Sequence, residues 1–264
     1  MSLVTSLLIS TYNWPDALEL VFLSILLQKK LPDEIIIADD GSQSDTVDVI
    51  DKYIKRLNIP VKHVWHPDNG FRKTSIMNKA IHSAEGNYII QIDGDIILHP
   101  RFIEDHIKAA KPGFFIKGSR GLLSHDLTQE LIKSKSVSIN ILSRGLRSRI
   151  NSTRLPFISP FFYGSPVKTN DLRGCNFAFW KKDFIAVNGY NNELMGWGHE
   201  DIELAARLVN LGVKRKQLKM VAVCFHLYHR RNERNKENIN YKTYLNALRN
   251  KIIRCADGYS ESQI

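Results

Sequence analysis

The chain has 264 residues, 43% hydrophobic and 24% charged, enough apolar content for a large core and too much for a disordered chain. Its three cysteines, Cys175, Cys224 and Cys255, form no CxxC pair and leave an odd one out, which favours reduced thiols over a disulfide scaffold. A net charge of +10 calls for an anionic partner, and the absence of any recognisable nucleic-acid module points away from nucleic acid and towards a nucleotide or an anionic membrane surface.

Residues 3–10 (LVTSLLIS) predict a first strand ending at Thr11-Tyr12-Asn13. Trp14-Pro15-Asp16 then opens a helix running to about Lys30, with Pro15 in its first turn. Leu18 to Leu27 is the longest apolar stretch. Glu19 and Ser24 interrupt it, and it is too short to span a bilayer. Leu3 to Ile9 lacks the basic flank of a signal peptide, so the expected location is cytoplasmic, with peripheral contact at the inner face of the membrane. A buried strand follows at Glu34 to Ala38, then Asp39-Asp40-Gly41-Ser42, a helix from about Asp45 to Leu57, and a strand at Val61 to Trp65. This βαβαβ alternation implies parallel strands with helices on both faces, and in such sheets ligands sit at the carboxyl ends of the strands.

Asn69-Gly70-Phe71-Arg72-Lys73 leads into a helix from Thr74 to Ala84, where the two cations and the free helical N–H groups can meet phosphate oxygens. Next comes YIIQIDGDIILHP, residues 88–100. Two carboxylates one residue apart at the end of a buried strand repel each other and need a cation. Gly94 between them allows close backbone approach, and hard oxygen ligands suit Mg²⁺ or Mn²⁺. A β-hairpin turn is the competing reading of Asp-Gly. Thr11-Tyr12, Asp39-Asp40 and Asp93-Gly94-Asp95 all fall at strand ends, which favours the metal.

The middle of the chain is less regular. Leu127 to Leu146 carries a rough helical pattern. Arg144, Arg147, Arg149 and Arg154 precede the aromatic, proline-rich LPFISPFFYGSP, whose aromatics are expected mostly in the core, with the arginines as a solvated face. The other reading of this stretch is contact with a membrane or a lipid-linked acceptor. In the second half, Asn176 to Trp180 is strand-like, with Asn176 taken as a substrate contact, and Asp183 to Val187 is a short helix. Gly196-Trp197-Gly198 makes a tight turn, and His199-Glu200-Asp201 opens a helix whose Ile202, Ala205, Ala206, Leu208 and Val209 face inward. A carboxylate beside a Trp-bearing glycine turn suits a sugar platform with a general base, although acidic residues in a first turn are also ordinary dipole partners. A last strand, Val221 to Phe225, ends at His226, with His229, Arg230 and Arg231 beyond it. A histidine at that strand end is a candidate metal ligand.

VTSLLISTYNWPDAL, IIIADDGS and YIIQIDGDIILHP together resemble the nucleotide-sugar half of glycosyltransferase family 2. GYNNELMGWGHEDIELAARL is similar to the C-terminal module of β-1,4-galactosyltransferases and of bacterial chondroitin polymerase. The resemblance spans most of the chain outside about residues 120–170. It implies the GT-A fold, an α/β Rossmann-like, mostly parallel central sheet flanked by helices. Residues 1–264 would form one domain, with 1–118 binding the nucleotide sugar and 119–264 the acceptor.

By the same resemblance, Thr11, Tyr12 and Asp40 contact the uridine of a UDP-sugar, with Asp39 nearby, and Arg72 approaches the pyrophosphate. Asp93, Gly94 and Asp95 form the DxD element for Mn²⁺ or Mg²⁺. Asp95 and His226 are the expected metal ligands, with His229 as the alternative to His226. Asp201 is the expected base, Glu200 binds a sugar, and Trp197 stacks on one. His199 replaces a glycine of the galactosyltransferases, so acceptor specificity does not carry over. No anchor or stem of the Golgi enzymes and no second catalytic domain of the polymerase is expected. The expected reaction is a metal-dependent, inverting transfer to a glycan or lipid-linked acceptor, as in bacterial surface polysaccharide or lipopolysaccharide synthesis. A sugar nucleotidyltransferase and a non-catalytic carbohydrate-binding protein are the rivals. The first is disfavoured because STYNWPD, where its Gly-rich loop belongs, has no glycine.

Overall fold

The computed structural model describes residues 2–162, 164–230 and 234–262. Tyr163 of the aromatic stretch and Arg231 lie outside the described residues.

The first half alternates as expected: β1 (Thr5–Thr11), α1 (Pro15–Leu26), β2 (Glu34–Asp39), α2 (Ser44–Ile54), β3 (Val61–Trp65), α3 (Lys73–His82) and β4 (Tyr88–Asp93). Then come β5 (Ile96–Leu98), α4 (Phe102–Ala109), β6 (Phe114–Lys117), β7 (Gly121–Leu123), α5 (His125–Ser134) and β8 (Leu146–Arg147). The last part holds β9 (Phe177–Trp180), α6 (Lys181–Ala186), α7 (Glu200–Asn210), β10 (Lys214–Gln217), β11 (Cys224–His226) and α8 (Glu237–Arg249).

A seven-stranded sheet has the order β10-β6-β9-β4-β1-β2-β3. All its pairings are parallel except those of β9, which runs against both β4 and β6. A second sheet, β5-β11-β7-β8, packs beside it. The fold is therefore mixed α/β with a mostly parallel central sheet flanked by helices.

Period-two alternation sends β1 side chains to both faces. Leu7 and Ile9 meet Leu18, Val21 and Phe22 of α1, whereas Leu8 packs with Ile76, Met77 and Ala80 of α3. Burial on both sides explains why β1, β2 and β4 read as continuous apolar runs. A third cluster joins Ala17 and Leu20 of α1 to Leu127 and Leu131 of α5 under the second sheet. The three cysteines are free and buried.

Several boundaries differ from expectation. α1 stops at Leu26 because the chain turns away to its neighbours: Gln28 Nε2 donates to Ser24 O and His99 O, and Lys29 N donates to Pro100 O. The helical pattern of 127–146 ends at Ser134, where Lys135 takes φ 48° and closes the turn; Leu142 beyond it is 84% exposed. The last strand is only Cys224–His226, since Met220 and Ala222 have positive φ and Ala222 N donates to Asp105 instead of a ladder. Two elements had no sequence signal of their own. β10 (KRKQ) is an edge strand without apolar alternation, and α8 is polar with only Asn240, Tyr244 and Ala247 buried.

The aromatic stretch also departs from the core reading: Phe157 is 89% and Phe161 80% exposed. Of the four arginines, Arg154 is taken up by a bidentate pair with Asp105, at 2.8 and 2.6 Å.

The helix carrying Glu200 and Asp201 is held by Arg207. That residue is fully buried, pairs with Glu203 through two bonds, and donates to the carbonyls of Val187 and Gly189. Removing one partner from such a pair costs about 3–5 kcal/mol, because the other is left charged and buried. The position of α7 is thus fixed independently of any ligand.

Candidate active site

The carboxyl ends of β1, β2 and β4 lie level. Thr11 pairs with Asp39 across β1–β2, and Ser10 with Asp93 across β1–β4. Two cross-links tie the chain as it leaves these ends, Asp40 N to Thr11 O (3.1 Å) and Gly94 N to Ser10 O (2.7 Å). A Cβ on Gly94 would stand 3.0 Å from both Ser10 O and Thr11 Oγ1, so only glycine lets the two strand ends close this tightly. Together they floor a cleft of about 480 Å³ whose wall includes Thr11, Tyr12, Asp40, Asp93, Asp95 and Glu200.

Asp40 enters the cleft with both oxygens engaged, one 2.6 Å from His66 Nε2 and the other accepting from Arg72 N at 2.9 Å. Burial raises its pKa against the pull of His66. Tyr12 is half exposed and its hydroxyl donates to Asp68.

Asp39 does not reach the cleft. It is fully buried beneath, where it meets His63 Nε2 at 3.0 Å and accepts from Ser42 N. Burial raises its pKa, but these partners outweigh that and leave the carboxylate below its ordinary value. Arg72 also departs from its expected place, because its guanidinium donates to Pro67 O and only its backbone N–H serves the site.

The cation that does face the carboxylates is Lys73. Its Nζ lies 2.8 Å from Asp93 Oδ1 and 3.8 Å from Glu200 Oε1. Burial works against its charge, but Asp93, Asp201 and Glu200 together hold its pKa above the usual lysine value. Asp93 also accepts from Ser10 Oγ at 2.9 Å.

Asp95 points the other way, towards β11. His226 Nε2 is 3.4 Å and His229 Nε2 3.5 Å from Asp95 Oδ2, so the two histidines gather on one carboxylate instead of competing for the role. In each ring Nδ1 faces a backbone carbonyl, Leu227 O at 2.7 Å and Arg230 O at 2.6 Å. With Nδ1 turned to the backbone, Nε2 is the nitrogen that each ring directs at Asp95. Asp95 Oδ1 is buried with no partner. Two imidazole nitrogens and a carboxylate with an orphaned oxygen form a three-residue cluster that could hold a divalent cation.

On the opposite wall, α7 begins at Glu200 after His199, which has φ 72°. This left-handed position favours glycine. The His199 ring turns away to α8, 3.9 Å from Glu237 Oε1 and 5.0 Å from the Tyr241 ring. Glu200 lines the cleft, and burial, with Asp201 adding to it, pushes its pKa up to about 7. Asp201 sits behind it. One oxygen accepts from Gly174 N at 2.6 Å and the other from Tyr190 OH at 3.2 Å. A Cβ on Gly174 would fall 2.5 Å from Asp201 Oδ1, so the contact requires glycine. Burial raises the pKa of Asp201, and Lys73 counters it.

Trp197 borders the cleft with Arg234 stacked on its ring at 4.6 Å. Asn176 lies elsewhere. It is buried beneath a neighbouring cavity, bonded to His106, Ser119 O and Ala222 O, and acts as a structural link.

Sequence reasoning therefore missed the site roles of Tyr190 and Gly174, and it named Lys73 only beside Arg72, as one of two cations at a helix entry able to meet phosphate.

Comparison with known proteins agrees with this geometry. The family description "Glycosyl transferase family 2" matches residues 6–163, and "N-terminal domain of galactosyltransferase" matches residues 156–230. The chain is 26% identical over 228 residues to a chondroitin synthase of Escherichia coli, an alignment covering 78% of this chain and 32% of that protein. It spans a third or less of the curated synthases it matches.

Among solved structures, the mannosyltransferase PcManGT from Pyrobaculum calidifontis in complex with GDP-Man and Mn²⁺ superposes with TM-score 0.64 at 15% identity, over 98% of this chain and 66% of that one. GalNAc-T7 with UDP, GalNAc and Mn²⁺ gives TM-score 0.64 at 17% identity, over 93% of this chain and 48% of that one. At such identities the likeness concerns the fold, which is GT-A.

Proposed function

The chain belongs to glycosyl transferase family 2, and from that premise we propose that it is a metal-dependent, inverting enzyme moving a sugar from a UDP-sugar to a hydroxyl of a glycan or lipid-linked saccharide. One observation carries the reading: Asp93, Asp95, Lys73 and Glu200 line a single cleft at the carboxyl ends of parallel strands, with Asp201 next to Glu200 at the start of α7. Thr11, Tyr12 and Asp40 are positioned to hold the nucleoside, and Lys73 to meet the diphosphate.

Asp95, His226 and His229 would hold a divalent cation. When bound, that cation supplies charge neutralisation to the departing nucleoside diphosphate. Asp201, oriented by Gly174 and Tyr190, takes the proton of the acceptor hydroxyl. The hydroxyl oxygen then bonds to the anomeric carbon as the bond to the diphosphate breaks on the opposite side. A single displacement inverts the configuration and needs no covalent sugar–enzyme intermediate. Glu200 faces the cleft with a pKa near neutrality, suited to hydrogen-bonding a sugar hydroxyl in either protonation state.

Bacterial polysaccharide or lipopolysaccharide synthesis is the setting we propose, with the acceptor side near a membrane. No helix among the described residues is long and apolar enough to cross one. Leu142, Phe157 and Phe161 are more than three-quarters exposed, within a stretch, 142–161, that also carries the exposed Arg144, Arg147 and Arg149, and this supports peripheral contact with anionic lipid. A pure sugar-binding protein has no use for this combination of carboxylates and histidines, and a nucleotidyltransferase is disfavoured by the lack of glycine in STYNWPD after β1. The test is release of UDP from a panel of UDP-sugars with and without Mn²⁺. Metal-dependent release from one donor supports transfer, and release from none contradicts it.

A further inference from the structure

A second cavity, of about 250 Å³, shares no lining residue with the cleft. Four cations border it, Lys117, Arg120, Arg173 and Lys219, and no carboxylate does. Their charges are poorly compensated. Lys117 shares the single carboxylate of Asp171 with Arg215 and Lys168, at 3.2, 2.6 and 3.2 Å. Arg120 donates to the Cys175 thiol, whose pKa burial pushes up to about 11, so that its one hydrogen-bond partner is neutral and only the more distant Asp93 and Asp95 of the cleft act on its charge. Lys219 lies over the Phe162 ring, and Arg173 has no acidic partner among the described residues.

A concave group of like charges is unfavourable by itself and is relieved by a bound anion. Ser119, Ser148, Asn151 and Gln217 add neutral hydrogen-bonding groups, and no histidine lines the wall, so a metal cation is a poor fit. The cavity's position says which anion matters. Arg173, Cys175 and Asn176 form part of its wall, while Gly174, in the same turn, donates to Asp201 on the other side. An anion here sits beside the turn that orients Asp201, in a cavity separate from the cleft assigned to the donor diphosphate.

We propose that this cavity is an oxyanion subsite for the acceptor, binding a carboxylate or phosphate that the acceptor saccharide carries. It fixes the acceptor so that a nearby hydroxyl meets Asp201. The assignment of this anion to the acceptor rests on the glycosyl-transfer reading, whereas the anion site itself does not.

The full chain is titrated with methyl β-glucuronide, glucose 6-phosphate and neutral methyl β-glucoside, following backbone amide signals by NMR. The anionic sugars are expected to shift Ser119, Asn151 and Arg173, with the neutral glycoside leaving them in place. The preferred anion separates a uronic acid from a phosphate source. In Arg173→Gln/Lys219→Gln, affinity for the anion falls about tenfold or more, the loss expected for two charge-assisted contacts. UDP with Mn²⁺ shifts Thr11 and Asp40 equally in both proteins, which separates the two readings. If UDP shifts neither residue, the glycosyl-transfer reading fails while the anion site stands. Equal shifts with the neutral glycoside, no shift with either anion, or unchanged affinity in the variant would each overturn the subsite.

Discussion

Lys73 Nζ lies 2.8 Å from Asp93 Oδ1, at the point where the end of β4 faces the start of α7 across the cleft. The same ammonium is 3.8 Å from Glu200, so one cation balances carboxylates from both halves of the chain. Preorganised charge of this kind contributes most where negative charge develops or departs.

Lys73→Met is expected to weaken UDP-sugar binding and to reduce turnover by about 10²-fold or more, the range for losing a positioned electrostatic group. Titration calorimetry and initial rates on the same preparation check this. A variant with altered melting temperature but normal kinetics assigns Lys73 to folding alone.

Asp95→Ala removes the carboxylate on which His226 and His229 converge. UDP affinity in Mn²⁺ is expected to drop to the value measured in EDTA, and transfer to cease. Affinity that still rises with Mn²⁺ would place the metal elsewhere.

Glu200 gives a pH-dependent stability. Its folded pKa of about 7 exceeds the ordinary 4.5, so between those values the folded protein keeps a proton that the unfolded chain has lost. Stability from this group therefore falls as pH rises through that window, and the penalty is complete above pH 7. Glu200→Gln removes it: the variant is expected to melt a few degrees above wild type at alkaline pH and to converge with it near the unfolded pKa. Equal melting temperatures across the range would show that Lys73 already compensates the charge in full.

The stretch bearing Leu142, Phe157 and Phe161 with Arg144, Arg147 and Arg149 predicts sedimentation with anionic vesicles that weakens as salt rises. Equal sedimentation with neutral and anionic vesicles, or none with either, contradicts membrane contact.

The sheet was legible because β1, β2 and β4 are apolar runs buried on both faces, ending in polar residues that cannot be buried without partners. Asp93 and Asp95 stood out for the same reason, whereas Asp201, in the first turn of a helix, was singled out only by the family resemblance. Asp39, Arg72 and Asn176 read as site residues by type, but His63, Pro67 and Ala222 take up their hydrogen bonds, and such distant partners leave no trace in local sequence. The Asp201 support is equally non-local, drawn from Gly174 and Tyr190, 27 and 11 residues away. Both histidines, read as alternatives, act on the same atom because the chain after β11 doubles back over Asp95, a course no periodicity encodes.

The central claim is that Asp201 is the acceptor-side base in an otherwise intact donor site. Asp201→Asn keeps the side chain's size: its amide oxygen can accept from Gly174 N, and its NH₂ can donate to the Tyr190 oxygen, whose own proton goes to Gln91 Oε1. The decisive measurement is UDP affinity together with turnover on a competent acceptor, in this one variant. The account predicts unchanged UDP affinity and turnover reduced by roughly 10²–10⁴, the range for a lost general base. Undiminished turnover would contradict it, returning Asp201 to a role in the helix start and leaving Glu200 as the carboxylate that faces the acceptor.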